Sequence, residues 1–293
     1  MSSYYEGLIV FVCINVIAVA GLYVLLGATG LVSFGQAGFL ATGAYISGLV
    51  TTKLNLPFYV GIILGVLGSM VLGIIIGYPT LKLRREYFAL ATMGWGEAIR
   101  ALIIAFPKIT GGSVGLSGIP QKSTLGLTFF LTLASLFIVR NFLISKYGRN
   151  ANAIMTDELA AEAIGIHTFL LKQEVFALTC GLSGLAGALL AHYITYIDPS
   201  IFSWTRSAEL VTIVFLGGLG SFTGSIVAAI VVTILPEVLR FAAEARFLFY
   251  AVVILLVIIY RPGGIFGQWE LSWAWFKKMW NKRVRHTARE GAQ

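Results

Sequence analysis

Long stretches with almost no charge constrain the fold of this sequence more than any other feature. Residues 7–28, 58–78, 125–143, 173–191 and 246–260 are nearly uncharged. A helix needs about 20 residues to cross the hydrocarbon core of a bilayer. Charged residues make up only 12% of the 293 positions, too few to cover the surface of a soluble domain of this length. The sequence therefore predicts an all-α fold, a polytopic bundle of membrane helices.

Basic clusters between the apolar segments predict how the chain is oriented, because such clusters mark cytoplasmic loops. Two clusters fall between apolar segments: Lys82, Arg84 and Arg85, and then Lys146, Arg149 and Lys172. Placing both inside puts the N-terminus and the loops 107–124 and 195–206 outside. We accordingly divide the chain into a transmembrane domain, 1–267, which includes a cytoplasmic loop at 145–172, and a basic cytoplasmic tail, 268–293.

The net charge of +8 comes from these loops and from the tail rather than from a nucleic-acid surface. The tail 268–293 combines lysines and arginines with four tryptophans. Tryptophan and basic residues after a last span are typical of the headgroup region of a bilayer. We therefore expect the lipid bilayer, and no nucleic acid, as a partner.

The stretch from Ser207 to Leu235 has to turn back within the membrane. A single crossing there would carry the last apolar segment and its basic flank to the wrong side. The run GGLGSFTGS separates two short apolar stretches, which indicates a re-entrant hairpin or two steep half-spans. We expect about eight to ten membrane segments, at least one of them discontinuous.

Two glycine-rich interruptions resemble each other: GLVSFGQAGF at 30–39 and GGLGSFTGS at 217–225. An internal repeat and chance both stay open as explanations. Irregular backbone in a bilayer is tolerated only where protein covers it or where it lines a water-filled cavity, and interrupted segments in both halves are typical of transporters. Close packing through small residues is the alternative. The pathway candidates from these runs are Ser33, Gln36, Ser221 and Thr223.

Glu97 is the fifth pathway candidate, because it falls near the middle of the apolar segment 87–106. Arg100 follows three residues later, so the two side chains share one helix face and can pair. Ionisable groups at such depth usually face a bundle interior or an aqueous cavity. An ion pair that locks two helices, or one near the outer interface, is the alternative. For His192 and Glu209, near segment ends, an interfacial position is expected.

The polar stretch 145–172 contains a predicted helix. Thr156 is a good N-cap residue, and Asp157 and Glu158 suit a first helical turn. Gly165 can end the helix. The pattern predicts one amphipathic helix of about ten residues, which would be marginal in isolation and therefore suits a partner that clasps it.

The motif TDELAAEAIGI, at residues 156–166, resembles the cytoplasmic EAA-type loop with which ABC importer permeases dock on their ATPase subunits. Five further runs resemble the branched-chain amino acid permease family, in its LivM-like branch: GLVSFGQAGFLATGAY, LRREYFALATMGWGEAIR, TGGSVGLSGIP, GLAGALLAHYITYIDPSIF and VFLGGLGSFTGSIVAA. The resemblance covers nearly all of residues 20–267, in order. The docking residues that it implies are Asp157, Glu158, Ala161, Glu162 and Gly165.

The resemblance implies a permease subunit that carries branched-chain or other aliphatic amino acids across the bacterial inner membrane. The implied partners are a second homologous permease subunit, two ABC ATPase subunits and a periplasmic or surface-tethered substrate-binding protein. The chain lacks the G-x-x-x-x-G-K-[ST] motif that cradles ATP phosphates, so we expect no enzymatic activity of its own. Relatives that carry urea or short amides leave those solutes as an alternative.

A stand-alone secondary transporter is an alternative of a different class. It would need mid-membrane carboxylates to couple an ion gradient, and the sequence offers Glu97 alone. No grouping of histidine, cysteine and carboxylate residues has metal-ligand spacing, so we expect neither a metal nor another cofactor. Cys13 and Cys180 lie in apolar segments, where small packing residues are expected.

Overall fold

The computed structural model describes residues 2–238 and the six positions 255, 259, 260, 264, 265 and 267. This part of the chain contains no strand, only helices, turns and one isolated bridge. The helices are α1 (Ser2–Thr29), α2 (Gln36–Thr52), α3 (Phe58–Thr80), α4 (Arg85–Ala105), α5 (Pro107–Thr110), α6 (Leu125–Ile144), α7 (Lys146–Thr156), α8 (Glu158–Ala163), α9 (Thr168–Ile194), α10 (Trp204–Gly217) and α11 (Phe222–Val238). The predicted all-α polytopic fold is confirmed.

Five of these helices, α1, α3, α4, α6 and α9, are long and apolar enough to cross a membrane. The central pair, α1 and α9, is buried almost throughout, whereas α3, α4 and α6 bury one face and expose the other. This difference is expected of inner and outer helices in a bundle whose solvent is lipid. The chain is therefore a multi-pass membrane protein.

Small residues let α2 and α3 approach the central helix α9 closely. A Cβ atom built on Gly43 of α2 would lie 2.1 Å from the carbonyl oxygen of Gly184 in α9. One built on Gly65 of α3 would lie 2.8 Å from the carbonyl oxygen of Gly43. Contacts this short leave no room for a side chain, so the glycines set the distance between the three helices.

The two basic clusters lie at the same end of the bundle, which we call the basic end. Arg85, at the start of α4, donates hydrogen bonds from Nη2 to the carbonyl oxygens of Ile154 (3.1 Å) and Met155 (3.2 Å) in α7. Gly30, just after α1, also lies beside Arg85 and Met155. The segment 145–172 therefore folds against the ends of α1 and α4.

Loops at the opposite end are pinned to the bundle. Leu116 and Ile197 exchange two backbone hydrogen bonds (2.8 and 3.0 Å), which join the loop after α5 to the loop after α9. His192 is fully buried, with Nε2 3.0 Å from Ser47 Oγ and Nδ1 3.0 Å from the carbonyl oxygen of Pro120. His192 lies in the last turn of α9, and its two ring nitrogens both find partners inside the protein.

Helix α2 begins inside the bundle rather than at the basic end. Its first residue, Gln36, accepts a hydrogen bond from Ser183 Oγ (2.7 Å). At about 1.5 Å per residue, Ser183 lies about 22 Å from the beginning of α9 at the basic end. The five residues before it, 31–35, form no helix and include a bend at Phe34. The predicted interruption at 30–39 is thus a real break in a membrane segment.

The chain also turns back where the topology required it. Helix α10 runs toward the basic end and stops at Gly217. The ring of Phe222, the first residue of α11, lies 5.4 Å from the ring of Tyr23. Tyr23 is six residues, or about 9 Å, before the end of α1, so the turn lies inside the bundle. Helix α11 returns, and Thr233 accepts a hydrogen bond from Asn15 Nδ2 (2.9 Å) near the middle of α1. The predicted discontinuous segment is confirmed as a re-entrant hairpin.

Two predicted elements fall outside this description. The last apolar segment, 246–260, lies almost wholly outside the described residues, and the basic tail, 268–293, lies entirely outside them.

Candidate functional site

The segment predicted to form one cytoplasmic helix forms two, α7 and α8, so that prediction is wrong in its boundaries. Thr156 ends α7, and its hydroxyl donates to the carbonyl oxygen of Asn152 (3.0 Å) instead of capping a new helix. Asp157 adopts extended backbone, and its Oδ1 accepts from the N–H of Ala160 (3.1 Å). A carboxylate at this position satisfies an N–H that the first turn of α8 leaves unpaired.

Helix α8 rests on the rest of the protein through Ala161. This residue is only 2% exposed and packs in a small apolar cluster with Ala28 of α1, Ile154 of α7 and Leu171 of α9. A partner subunit approaching from outside therefore meets the other face of α8. Among the implied docking residues, Ala161 instead supports the helix from beneath.

The acidic side chains of α8 tie it to the beginning of the central helix α9. Lys172 Nζ forms an ion pair with Glu158 and is itself buried. Thr168 Oγ1 donates a hydrogen bond to Glu162 Oε1 (2.6 Å). Because both partners belong to the first turns of α9, a displacement of α8 has to move this helix or break these bonds.

The outward face of α8 is apolar. Leu159 and Ile164 are 77% and 76% exposed, although both are large aliphatic side chains. Gly165 follows with a positive φ of 89°, and no atom lies within 4 Å of where its Cβ would be. Sequence reasoning placed Leu159 on the apolar side of the predicted helix, and it nominated neither Leu159 nor Ile164 for docking. The available signal was a pair of large aliphatic residues in the polar segment 145–172, which marks an interaction surface once this segment is placed outside the core.

The pathway candidates at the two interruptions are buried. Ser33 and Ser221 are fully buried, and each caps its own turn: Ser33 Oγ accepts from the N–H of Gly35 (3.4 Å) and Ser221 Oγ from the N–H of Gly224 (3.0 Å). Thr223 is partly exposed. In the conformation described, the two serines stabilise irregular backbone, as serine hydroxyls at turns commonly do.

Gln36 differs from the other candidates because half of its amide is unsatisfied. It is fully buried, and its Oε1 accepts from Ser183, but its Nε2 has no hydrogen-bond partner among the described residues. A buried donor without a partner costs about 1–3 kcal/mol. Such a group at a broken helix is suited to a conformation or ligand that supplies an acceptor.

Glu97 and Arg100 form the predicted pair, with 2.9 Å between Glu97 Oε2 and Arg100 Nε. Glu97 Oε1 also accepts from the backbone N–H of Trp204 (2.8 Å), the first residue of α10. A carboxylate at the start of a helix stabilises its unpaired N–H groups and its dipole. Glu97 thus holds the re-entrant hairpin against α4, and each member of the pair stays one-third exposed.

An apolar cavity of about 210 Å³ lies between α3, α6 and α9. Its lining includes Met70, Leu131, Leu178 and Leu185. With almost no polar groups in its wall, this cavity does not suit a charged solute.

Three features together are typical of a polytopic membrane protein of the transporter class. They are the break before α2, the re-entrant hairpin of α10 and α11, and the short helix α8 bound to the beginning of α9. Residues 4–260 match the profile of the family described as "Branched-chain amino acid transport system / permease component". The chain belongs to this family.

Curated relatives agree with the family match. The chain is 31% identical to the high-affinity branched-chain amino acid transport system permease protein LivM of Salmonella typhimurium, over 86% of this chain and 67% of the relative. It is 24% identical to a probable branched-chain amino acid transport permease protein LivM of Methanocaldococcus jannaschii, over 88% and 83% of the two chains. It is 27% identical to the autoinducer 2 import system permease protein LsrC of Salmonella paratyphi B, over 59% and 54%.

Proposed function

We propose that this protein is a membrane-spanning subunit of a binding-protein-dependent ABC importer for branched-chain amino acids. The observation that carries the proposal is the exposed apolar face of α8 on a helix fastened to α9, in a chain of the permease family. The basic end is then cytoplasmic and the membrane is the bacterial inner membrane. The proposed partners are a second permease subunit, two ATPase subunits and a substrate-binding protein.

The proposed coupling path begins at Leu159 and Ile164. These side chains insert into the ATPase surface, while Gly165 allows close approach of the backbone and Glu162 borders the contact. Closure of the ATPases then displaces α8. Glu158 and Lys172 pass the displacement to α9, the helix on which α1, α2 and α3 all pack.

The proposed pathway runs past the two breaks. Motion of α9 moves Ser183. Among the described residues, Ser183 is the only hydrogen-bond partner of the Gln36 side chain, so this motion alters or breaks that hydrogen bond. Ser33, Ser221 and Thr223 hold backbone that can rearrange without losing a full helix. Glu97 holds the beginning of α10 in place by accepting a hydrogen bond from the backbone N–H of Trp204.

Reconstitution tests the proposed function. The chain is inserted into vesicles with its partner subunits, and leucine uptake is measured with and without ATP and the binding protein. We expect uptake only when both are present. Full-rate leucine movement by the isolated chain would favour a stand-alone transporter, and preferential uptake of urea or a short amide would change the proposed substrate.

The cap of α8 provides a smaller prediction. Asp157→Ala removes the hydrogen bond to the N–H of Ala160 and should destabilise the first turn by about 0.5–2 kcal/mol. We expect a partial loss of leucine uptake per ATP hydrolysed, measured in the reconstituted importer. Asp157→Ser retains a capping oxygen and should keep nearly full coupling; equal losses in the two variants would contradict the capping role.

A further inference from the structure

Four charged side chains surround the beginning of α10, and only one of them, Glu97, belongs to the proposed pathway. Glu97 and Arg100 of α4 lie on one flank. On the other flank Arg206 Nη1 lies 2.6 Å from Glu209 Oε2, and Arg206 Nη2 also donates to Asn15 of α1. The side chains of these two ion pairs remain between 21% and 37% exposed, so neither pair is sealed inside the protein.

These charges lie near the middle of the bundle. Glu97 is twelve residues along α4 from the basic end, and Asn15 is fourteen residues from the same end of α1. At about 1.5 Å per residue, both positions are about 20 Å from that end. Arg206 joins Glu209 of α10 to Asn15 of α1 at this distance from the basic end.

The surface of α10 between the ion pairs forms one stripe. Thr205, Ala208, Thr212 and Phe215 follow one another at spacings of three, four and three residues, which is one helix face, and none of them is buried. Two of the four carry hydroxyl groups. We call these four residues the α10 stripe.

Other outward faces at this depth look different. The exposed residues in the middle of α3 include Leu64, Leu67 and Val71, and those of α6 include Phe130 and Leu133. These surfaces suit lipid, whereas exposed charge in the middle of a membrane is placed toward a water-filled cavity or the interior of an assembly. Arg206 and Glu209, which lie beside the α10 stripe, are partly exposed charges of this kind and therefore suit water better than lipid.

We propose that the α10 stripe lines a water-filled vestibule, and that Arg206 and Glu209 there contact the carboxylate and ammonium groups of the transported amino acid. The second part rests on the proposed function. A zwitterion carries its two charges a few bonds apart, which matches an adjacent guanidinium and carboxylate. Asn15 fixes the guanidinium while leaving N–H donors of its fork for a carboxylate.

Charged thiol reagents test the vestibule. Both cysteines, Cys13 and Cys180, are buried, so replacing them with alanine gives a background for single-cysteine variants in the full chain with its partner subunits. We expect a membrane-impermeant sulfonate reagent to label Thr205→Cys and Thr212→Cys at least roughly tenfold faster than Leu133→Cys, on the exposed apolar face of α6. Labelling as slow as at Leu133 would overturn the vestibule, whether lipid or another subunit covers the stripe.

Protection by solute tests the zwitterion contact. Excess leucine should slow the labelling of Thr205→Cys, and this protection should be lost when Arg206→Gln is added, while glycerol should give none. Labelling that leucine leaves unchanged would overturn the assignment of Arg206 and Glu209. Because labelling needs no ATP, a failed uptake experiment would overturn the proposed function and leave the vestibule standing.

Discussion

Replacing Leu159 and Ile164 together with aspartate is expected to abolish ATP-dependent leucine uptake while the protein still inserts in the membrane. Both side chains are more than three-quarters exposed, so the free chain loses little packing. In the proposed importer they are buried against an ATPase subunit. Two carboxylates buried without partners there cost several kcal/mol, which is enough to reduce docking by a factor of roughly a thousand or more.

Measurements on purified protein separate this effect from misfolding. Binding of the ATPase subunits is followed by co-purification, and uptake and ATP hydrolysis by reconstitution. Val114→Asp is a matched control, because Val114 is 76% exposed like Ile164 but lies in the loop at the opposite end of the bundle. Full docking and uptake in the double variant would remove α8 from the coupling path.

Segments and breaks were predictable because the bilayer imposes simple rules on the sequence. The near absence of charge over about 20 residues identifies α1, α3 and α6, and charge at segment ends identifies the basic end. The turn between α10 and α11 was predictable from topology, since the alternative placed basic residues on the wrong side. In each case one chemical property decides the outcome.

The details of the coupling segment were not predictable, because several local signals compete there. Thr156 and Asp157 are both good cap residues, and only the packing of Ala161 against α9 decides which of them starts α8. Burial of Ala161 also turns Leu159 and Ile164 outward. A short helix has no periodicity long enough to reveal its buried face.

Polar partners across the bundle were also beyond the sequence. Gln36 and Ser183 are 147 positions apart, and Arg206 and Asn15 are 191 apart. Which polar groups meet depends on how closely α2 and α10 approach α9 and α1. Glycines set the distance between α2 and α9, but nothing in the sequence says which backbone each glycine faces.

The glycine at position 187 therefore gives the second large expected effect. A Cβ atom at Gly187 would lie 1.9 Å from the carbonyl oxygen of Leu40, so Gly187→Ala forces α9 and α2 apart. Backbone atoms cannot rotate away as a side chain does, and overpacking of this kind costs about 1–3 kcal/mol or more. We expect a marked fall in the thermal stability of the purified protein in detergent and in the folded yield from gel filtration.

Two further glycines make the prediction quantitative. At Gly68 the nearest atom to a new Cβ is the mobile Cδ1 of Ile46, at 2.4 Å, and at Gly94 nothing lies within 4 Å. Gly68→Ala should be mildly destabilising, and Gly94→Ala should be neutral or stabilising by up to about 1 kcal/mol, because alanine is the better helix former. If Gly187→Ala were as stable as Gly94→Ala, α2 would not pack on α9 as described. Gln36 would then lose its place beside Ser183, and α2 would no longer begin halfway through the bundle.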